Sequence, residues 1–124
     1  MAKSSKLVVI KGGKVLLVRR KKDGLWMFPG GRKRRDENAK QCLRREIAEE
    51  LPMLKVGGIS LWKKATTRNK TSGRKMSDAI FVAKKSSGKL KIGDKKELDR
   101  AEWRRPRGLK LTPTSRYIRD RLPV

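Results

Sequence analysis

The stretch from Asn38 to Pro52 constrains the fold more tightly than any other part of the chain. Ala39, Leu43, Ile47 and Leu51 recur every four residues, which is the spacing of one face of an α-helix. Asn38 supplies an N-cap, and Gln41 three residues on completes a capping-box pattern. Pro52 ends the helix by withholding a backbone donor. The apolar stripe has to be buried against another layer. At about 100° per residue, Glu46 and Glu50 lie close beside that stripe and Glu49 lies on its flank. The helix is therefore expected to be half buried, with carboxylates along one edge of its buried face.

Those glutamates stand out because acid is scarce. The chain has 36 Lys+Arg against 12 Asp+Glu, a net charge of +24. Carboxylates at i,i+3 and i,i+4 destabilise a bare helix by roughly a few tenths of a kcal/mol per pair. A divalent cation reverses the sign, since hard cations take carboxylate oxygens together with waters and substrate phosphates. The sequence contains no histidine. Ser-His-Asp and Cys-His catalysis are thereby excluded, a general base is expected to be a carboxylate, and a metal site is expected to be oxygen-rich, suiting Mg²⁺ or Mn²⁺.

The excess positive charge points to an anionic partner: nucleic acid, a polyphosphorylated small molecule or an anionic membrane surface. Residues 1–124 read as a single domain with one modest core. A lone cysteine, Cys42, forms no internal disulfide and reads as a small buried residue. The run "LVVI" is too short for a signal-peptide core or a membrane span, so the expectation is a soluble cytoplasmic protein with no membrane partner.

Elsewhere the pattern is strand-rich. "MAKSS" reads as a frayed polar end, and "KLVVI" and "KVLLVRR" as a hairpin joined by "KGG". "LWMF" reads as a short strand, "GGRKRRDE" as a loop and "KVGGISLWKKATT" as one strand with a Gly-Gly irregularity. "RNKTSGRK" reads as a basic turn, "MSDAIFVAKK" as a strand, "SSG" as a turn, "KLKI" as a strand and "GDKKELDRA" as a loop. "EWRRP" reads as an edge segment, and Thr112 before Pro113 as the start of a closing helix. This order gives a mixed α/β (α+β) domain with helices packed on a mixed sheet. Trp62 and Trp103 read as packing residues, and Trp26 as the tryptophan to test for stacking.

Written as spacing, the central segment is Gly31, five residues, Glu37, seven residues, then Arg45-Glu46-Ile47-Ala48-Glu49-Glu50, with Met53 three residues beyond. In this it resembles the Nudix hydrolase family, whose motif is G-x5-E-x7-R-E-U-x-E-E-x-G-U, with U a bulky aliphatic residue. The match runs from Gly31 to Met53 and departs at Pro52, where the family has glycine. The resemblance implies an α/β/α sandwich with a mixed central sheet and a metal-dependent pyrophosphohydrolase of MutT-like type. It implies Glu46 and Glu50 as the main metal ligands, with Glu49 assisting. It also implies a further acidic ligand or general base from outside the motif, for which Glu97 is the best-placed candidate and Asp94 the next.

The remaining residues have physical roles of their own. Gly31 permits a tight turn and brings its carbonyl toward a metal. Glu37 can pair with Arg45 and fix the loop to the helix. Arg32, Lys33, Arg34 and Arg35 depart from the family, in which this loop is mixed or acidic, and read as a phosphate clamp. The substrate expected is a nucleoside diphosphate derivative, a dinucleoside polyphosphate, an inositol pyrophosphate or the 5′ end of RNA. The alternative is a basic module that uses the same fold to hold RNA or DNA without catalysis. The intact Glu46/Glu49/Glu50 set argues for the enzyme, because a pure phosphate binder gains nothing from carboxylates there.

Overall fold

The computed structural model describes residues 2–68 and 72–123. In chain order the elements are β1 (Ala2–Val8), β2 (Ile10–Lys11), β3 (Lys14–Arg20), β4 (Trp26–Met27), β5 (Gly30–Arg32), α1 (Ala39–Glu50), β6 (Leu54–Gly57), β7 (Ser60–Arg68), β8 (Lys75–Val82), β9 (Lys85–Gly88), β10 (Leu98–Arg104) and α2 (Pro113–Arg119). β1 and β8 run parallel at the centre of a four-stranded sheet, flanked by antiparallel β5 and β7. β3 pairs with β10, β2 and β4 in an antiparallel sheet, and β6 pairs with β9 in a ribbon.

Alternation along the strands makes the sandwich. Leu7, Val9, Ala79 and Phe81 pack with Leu43, Ile47 and Leu51 of the α1 side. Val8 and Ile80, one residue out of step, pack with Ile118 and Leu122 of the α2 side. A strand sends successive side chains to opposite faces, so β1 and β8 fill two cores at once. The expected layering of helix, mixed sheet and helix is present.

The helix begins and ends as its residues dictate. The Asn38 side chain accepts the Gln41 N–H at 2.8 Å, and the Gln41 side chain accepts the Asn38 N–H at 2.9 Å. Leu51 closes it with φ −136° and ψ 71°. The Glu50 carbonyl is then met from outside by the Gly93 N–H at 2.9 Å. The Glu50 carbonyl at the helix end before Pro52 is thus satisfied, and Glu46 and Glu50 line one cavity.

Several strand assignments made from sequence need correction. Of "MAKSS", Met1 lies outside the described residues and Ala2 to Ser5 belong to central strand β1: the serines are buried because Ser4 donates to Asp78 and Ser5 donates to the Ala39 carbonyl at 2.7 Å. "SSG" belongs to β9, and "KLKI" carries no strand; instead Leu90 and Ile92 pack against the core. Gly88 has φ +93° and lies so close to the Met53 carbonyl that a Cβ there would sit 2.1 Å away, so the glycine marks strand approach and not a turn. "GDKKELDRA" gives its last residues to β10, where Leu98 is buried, and Gly30–Arg32 of the expected loop form β5. "KVGGISLWKKATT" breaks into β6 and β7 at Gly58. Of the basic turn, Asn69, Lys70 and Thr71 lie outside the described residues. Trp26 is buried in the α2-side core between Arg19 and Arg104, which removes it from consideration as a stacking platform.

Candidate active site

Four elements deliver the site. The C-terminal half of α1 brings Glu46, Glu49 and Glu50; β5 brings Gly30, Gly31 and Arg32; β1 brings Lys6; and the segment before β10 brings Asp94 and Glu97. All of these residues line one cavity of about 600 Å³. Arg20, Lys22 and Arg68 add positive charge to the same walls. A cluster of acid is thus framed by base, which is what a phosphate group bridged through a cation requires.

Arg45 organises the acidic edge. Its Nε and Nη2 donate to both oxygens of Glu37 at 3.0 and 2.7 Å, and Nη1 donates to Glu46 at 2.9 Å. Nη2 also reaches the Arg32 carbonyl at 3.0 Å, and Nη1 lies 3.5 Å from Glu49. Glu37 further accepts the Arg34 N–H at 2.7 Å. One guanidinium therefore ties the loop, strand β5 and the helix together. The Arg45 bond, seconded by that backbone donor, holds the Glu37 carboxyl down at about 2, well below the usual 4.5.

Glu50 behaves in the opposite way. It is only 5% exposed, and the Gly30 N–H donates to it at 2.9 Å. Burial pushes its pKa up to about 8 in the metal-free protein, with Glu46 and Asp94 adding to the rise and Lys6 and Gly30 opposing it. Lys6 is displaced below the usual lysine value, again chiefly by burial, against the pull of Glu50 and Asp78.

The donors suit a hard divalent ion. Every side-chain candidate is a carboxylate, and Gly31, whose carbonyl accepts from the Cys42 thiol at 3.4 Å, lines the same cavity. A Cβ at Gly31 would lie 2.4 Å from the Glu46 carboxyl carbon, so glycine makes the room that carboxylate occupies. Among the described residues no three acidic or thiol side chains close into a ready clasp. Magnesium is commonly held by one or two carboxylates plus waters and phosphates, which this arrangement accommodates. Gly31→Ala is expected to fold with a loss below about 1 kcal/mol, because the obstructing atoms are the far end of a side chain. Hydrolysis should fall at least tenfold as Glu46 is displaced; unchanged turnover would show that Glu46's position against β5 is immaterial.

Of the four loop cations, Arg32 lines the cavity. Arg34 lies 4.0 Å from Glu49 at the exposed rim, Lys33 donates to the Arg34 carbonyl, and Arg35 is exposed. Both Glu97 and Asp94 line the cavity, and Asp94 is the one whose charge bears on Glu50. Sequence reasoning missed Lys6, Arg20 and a hydroxyl-lined end where buried Asp78 accepts from Ser4 and Thr114. The available signal was Asp78 itself, an acid set among the apolar residues of "MSDAIFV".

Comparison with known proteins follows the same lines. The NUDIX domain model matches residues 3–122. A MutT NUDIX hydrolase from Burkholderia pseudomallei superimposes with a TM-score of 0.87 at 21% identity, covering 98% of this chain and 97% of that one. The mMutator MutT protein from Bacillus halodurans gives 0.76 at 19% identity over 97% and 80% of the two chains. An ADP-ribose pyrophosphatase from Streptococcus suis gives 0.61 at 17% over 90% and 79%. No curated protein matches by sequence.

Proposed function

The chain belongs to the Nudix family, and on that premise we propose that it is a Mg²⁺- or Mn²⁺-dependent pyrophosphohydrolase of a highly anionic diphosphate substrate. The observation that carries this is the meeting of Glu46, Glu49, Glu50, Asp94 and Glu97 in one cavity walled by Arg20, Lys22, Arg32 and Arg68. Glu46 and Glu50 would hold the ion, with Glu49, the Gly31 carbonyl and Glu97 or Asp94 completing its shell. The bound ion supplies Lewis-acid polarisation of a phosphoryl oxygen and a lowered pKa for a water. Arg45 keeps Glu46 and Glu49 oriented through its hold on Glu37. Arg20 and Arg32 neutralise phosphate charge at the walls, and whichever of Glu97 and Asp94 does not hold the ion takes the proton of the attacking water.

The surplus of base favours substrates with several phosphates: dinucleoside polyphosphates, inositol pyrophosphates, nucleoside diphosphate derivatives or a 5′-triphosphorylated RNA end. The test is a panel of such compounds with Mg²⁺ and with Mn²⁺, products identified by mass. Phosphate-bond cleavage of at least one class is expected. Background rates throughout, indifferent to loss of Glu50, would defeat the reading.

A second groove favours an additional nucleic-acid-holding role. Lys11, Lys55, Lys84 and Lys85 line an open cleft of about 600 Å³ with Ser86 and Ser87, without any acidic residue in its lining. It shares no lining residue with the catalytic cavity. Four ammonium groups at such a cleft suit the phosphates of a single strand, each contributing about 0.7 to the slope of log K against log salt. Replacing Lys55, Lys84 and Lys85 by Ala should lower the slope for single-stranded RNA by about 2. Hydrolysis of a small substrate should not change. An unaltered slope would assign the charge a different purpose.

A further inference from the structure

Lys6 occupies a position where a lysine is out of place. It sits on central strand β1 between Ser5 and Leu7, both fully buried, and is itself only 9% exposed. Burying an ionisable amine is costly unless its donors are used. The ζ-nitrogen carries two or three N–H groups, and the acceptor the structure provides is the Met27 thioether sulfur at 3.7 Å, a weak partner. Glu50, Asp78 and Glu46 all act on it electrostatically, yet it forms no ion pair within 4.0 Å with any of them among the described residues. Asp78 is already occupied by two hydroxyls, and Glu50 by the Gly30 N–H.

The position of Lys6 is as telling as its missing partners. In the sheet register Lys6 stands opposite Gly30, the residue whose N–H holds Glu50. Gly30 is fixed there, since a Cβ would lie 1.9 Å from the Ser5 carbonyl oxygen. Lys6 therefore lines the same cavity as Glu46 and Glu50 and as the Ser4–Asp78–Thr114 cluster, and the charges of Glu50 and Asp78 both bear on it. A lysine serving only as counter-ion to Glu50 would close on it. This one rests its ζ-nitrogen against the Met27 sulfur, and both residues line the cavity in which a diphosphate bound through Glu46 and Glu50 would sit.

We propose that Lys6 is a substrate-binding residue that donates to a phosphoryl oxygen of the diphosphate from central strand β1, in the cavity that Arg20 and Arg32 also line. This rests on the pyrophosphohydrolase reading and adds an internal phosphate contact to it. Such a contact makes the site selective for a diphosphate inserted deeply enough to reach β1, and not merely held at its mouth.

The test uses Lys6→Met, which keeps length and apolar packing while removing the donors, with Lys6→Gln as a second variant should the first fail to fold. Calorimetry measures two affinities for each protein: Mn²⁺ alone, and methylenediphosphonate in the presence of saturating Mn²⁺. The wild-type protein should bind the diphosphonate at least tenfold more tightly than Lys6→Met, with Mn²⁺ affinity the same within about threefold. Lys6→Gln should fall between them, because its amide retains two donors. On the substrate found active, KM should rise more than kcat falls. Equal diphosphonate binding by wild type and Lys6→Met would overturn the proposal while leaving the hydrolase reading intact. A variant that binds Mn²⁺ more tightly but diphosphonate equally would make Lys6 a tethered counter-ion instead. Failure of the wild type to bind diphosphonate at all would remove both readings.

Discussion

Glu50→Gln should lower hydrolysis on the order of 10³-fold, equivalent to about 4 kcal/mol of transition-state stabilisation, while making the metal-free protein more stable. The two effects have one cause. Glu50 is buried and its pKa is pushed up to about 8, against an ordinary 4.5 in the unfolded chain. A carboxyl that holds its proton more tightly when folded contributes its full share of stability below about pH 4.5 and loses it as the pH rises through about 8. An amide keeps the Gly30 N–H satisfied and carries no charge to bury. In chelator, the variant should therefore match the wild type near pH 4.5 and exceed it above pH 8, with roughly 5 kcal/mol as a ceiling. Thermal unfolding at the two pH values measures this. Adding Mn²⁺ should narrow the gap, because the ion stabilises the protein that binds it. A variant that is less stable than the wild type at pH 8.5 in chelator would mean Glu50 is held by compensations absent from this geometry.

Arg45→Lys should be costly in spite of its conserved charge. The guanidinium grips Glu37 with two parallel bonds and reaches Glu46 and the Arg32 carbonyl from the same plane. An ammonium cannot reproduce that fork. Arg45 is 19% exposed and Glu37 11%, so the pair lies between a surface bridge and a buried one. A loss of about 2 kcal/mol is expected, which lowers Tm by roughly 6–10 °C for a chain of this size. Acid tolerance should fall as well. Glu37 contributes stability above its ordinary 4.5 and loses it as the pH drops toward about 2, so weakening the Arg45 hold moves acid unfolding to higher pH. Activity should drop about 10- to 100-fold through misplaced Glu46 and Glu49, which the proposed function makes metal ligands. Unchanged Tm and turnover would reduce Arg45 to a surface charge.

The helix was legible in the sequence because its determinants are local. The four-residue stripe, the Asn38–Gln41 box and Pro52 act over one or two turns, and α1 spans Ala39–Glu50 as they require. The strand errors arose where partners are remote. Ser86, Ser87 and Gly88 suit a turn by themselves, but pairing with Leu54–Val56 makes them a strand. "MAKSS" resembles a frayed end until Asp78, 74 residues from Ser4, and the Ala39 carbonyl account for the hydroxyls of Ser4 and Ser5. The candidate site divides the same way. Its acidic edge and Arg45 follow from spacing on one helix, and Gly31 and Glu37 from the segment that leads into it. Lys6, Arg20 and Asp78 reach the cavity only through sheet pairing, which hydrophobic periodicity does not encode.

A single titration bears most directly on the claim that the α1 carboxylates form a metal-dependent diphosphate site. Mn²⁺ and methylenediphosphonate are added separately and together to the wild-type protein and to a Glu46→Gln, Glu50→Gln double variant, and heat is recorded. The wild type should take up Mn²⁺ and bind the diphosphonate far more tightly once the ion is present, and the double variant should lose that enhancement. Diphosphonate binding that is indifferent to Mn²⁺, or equal in the two proteins, would contradict it.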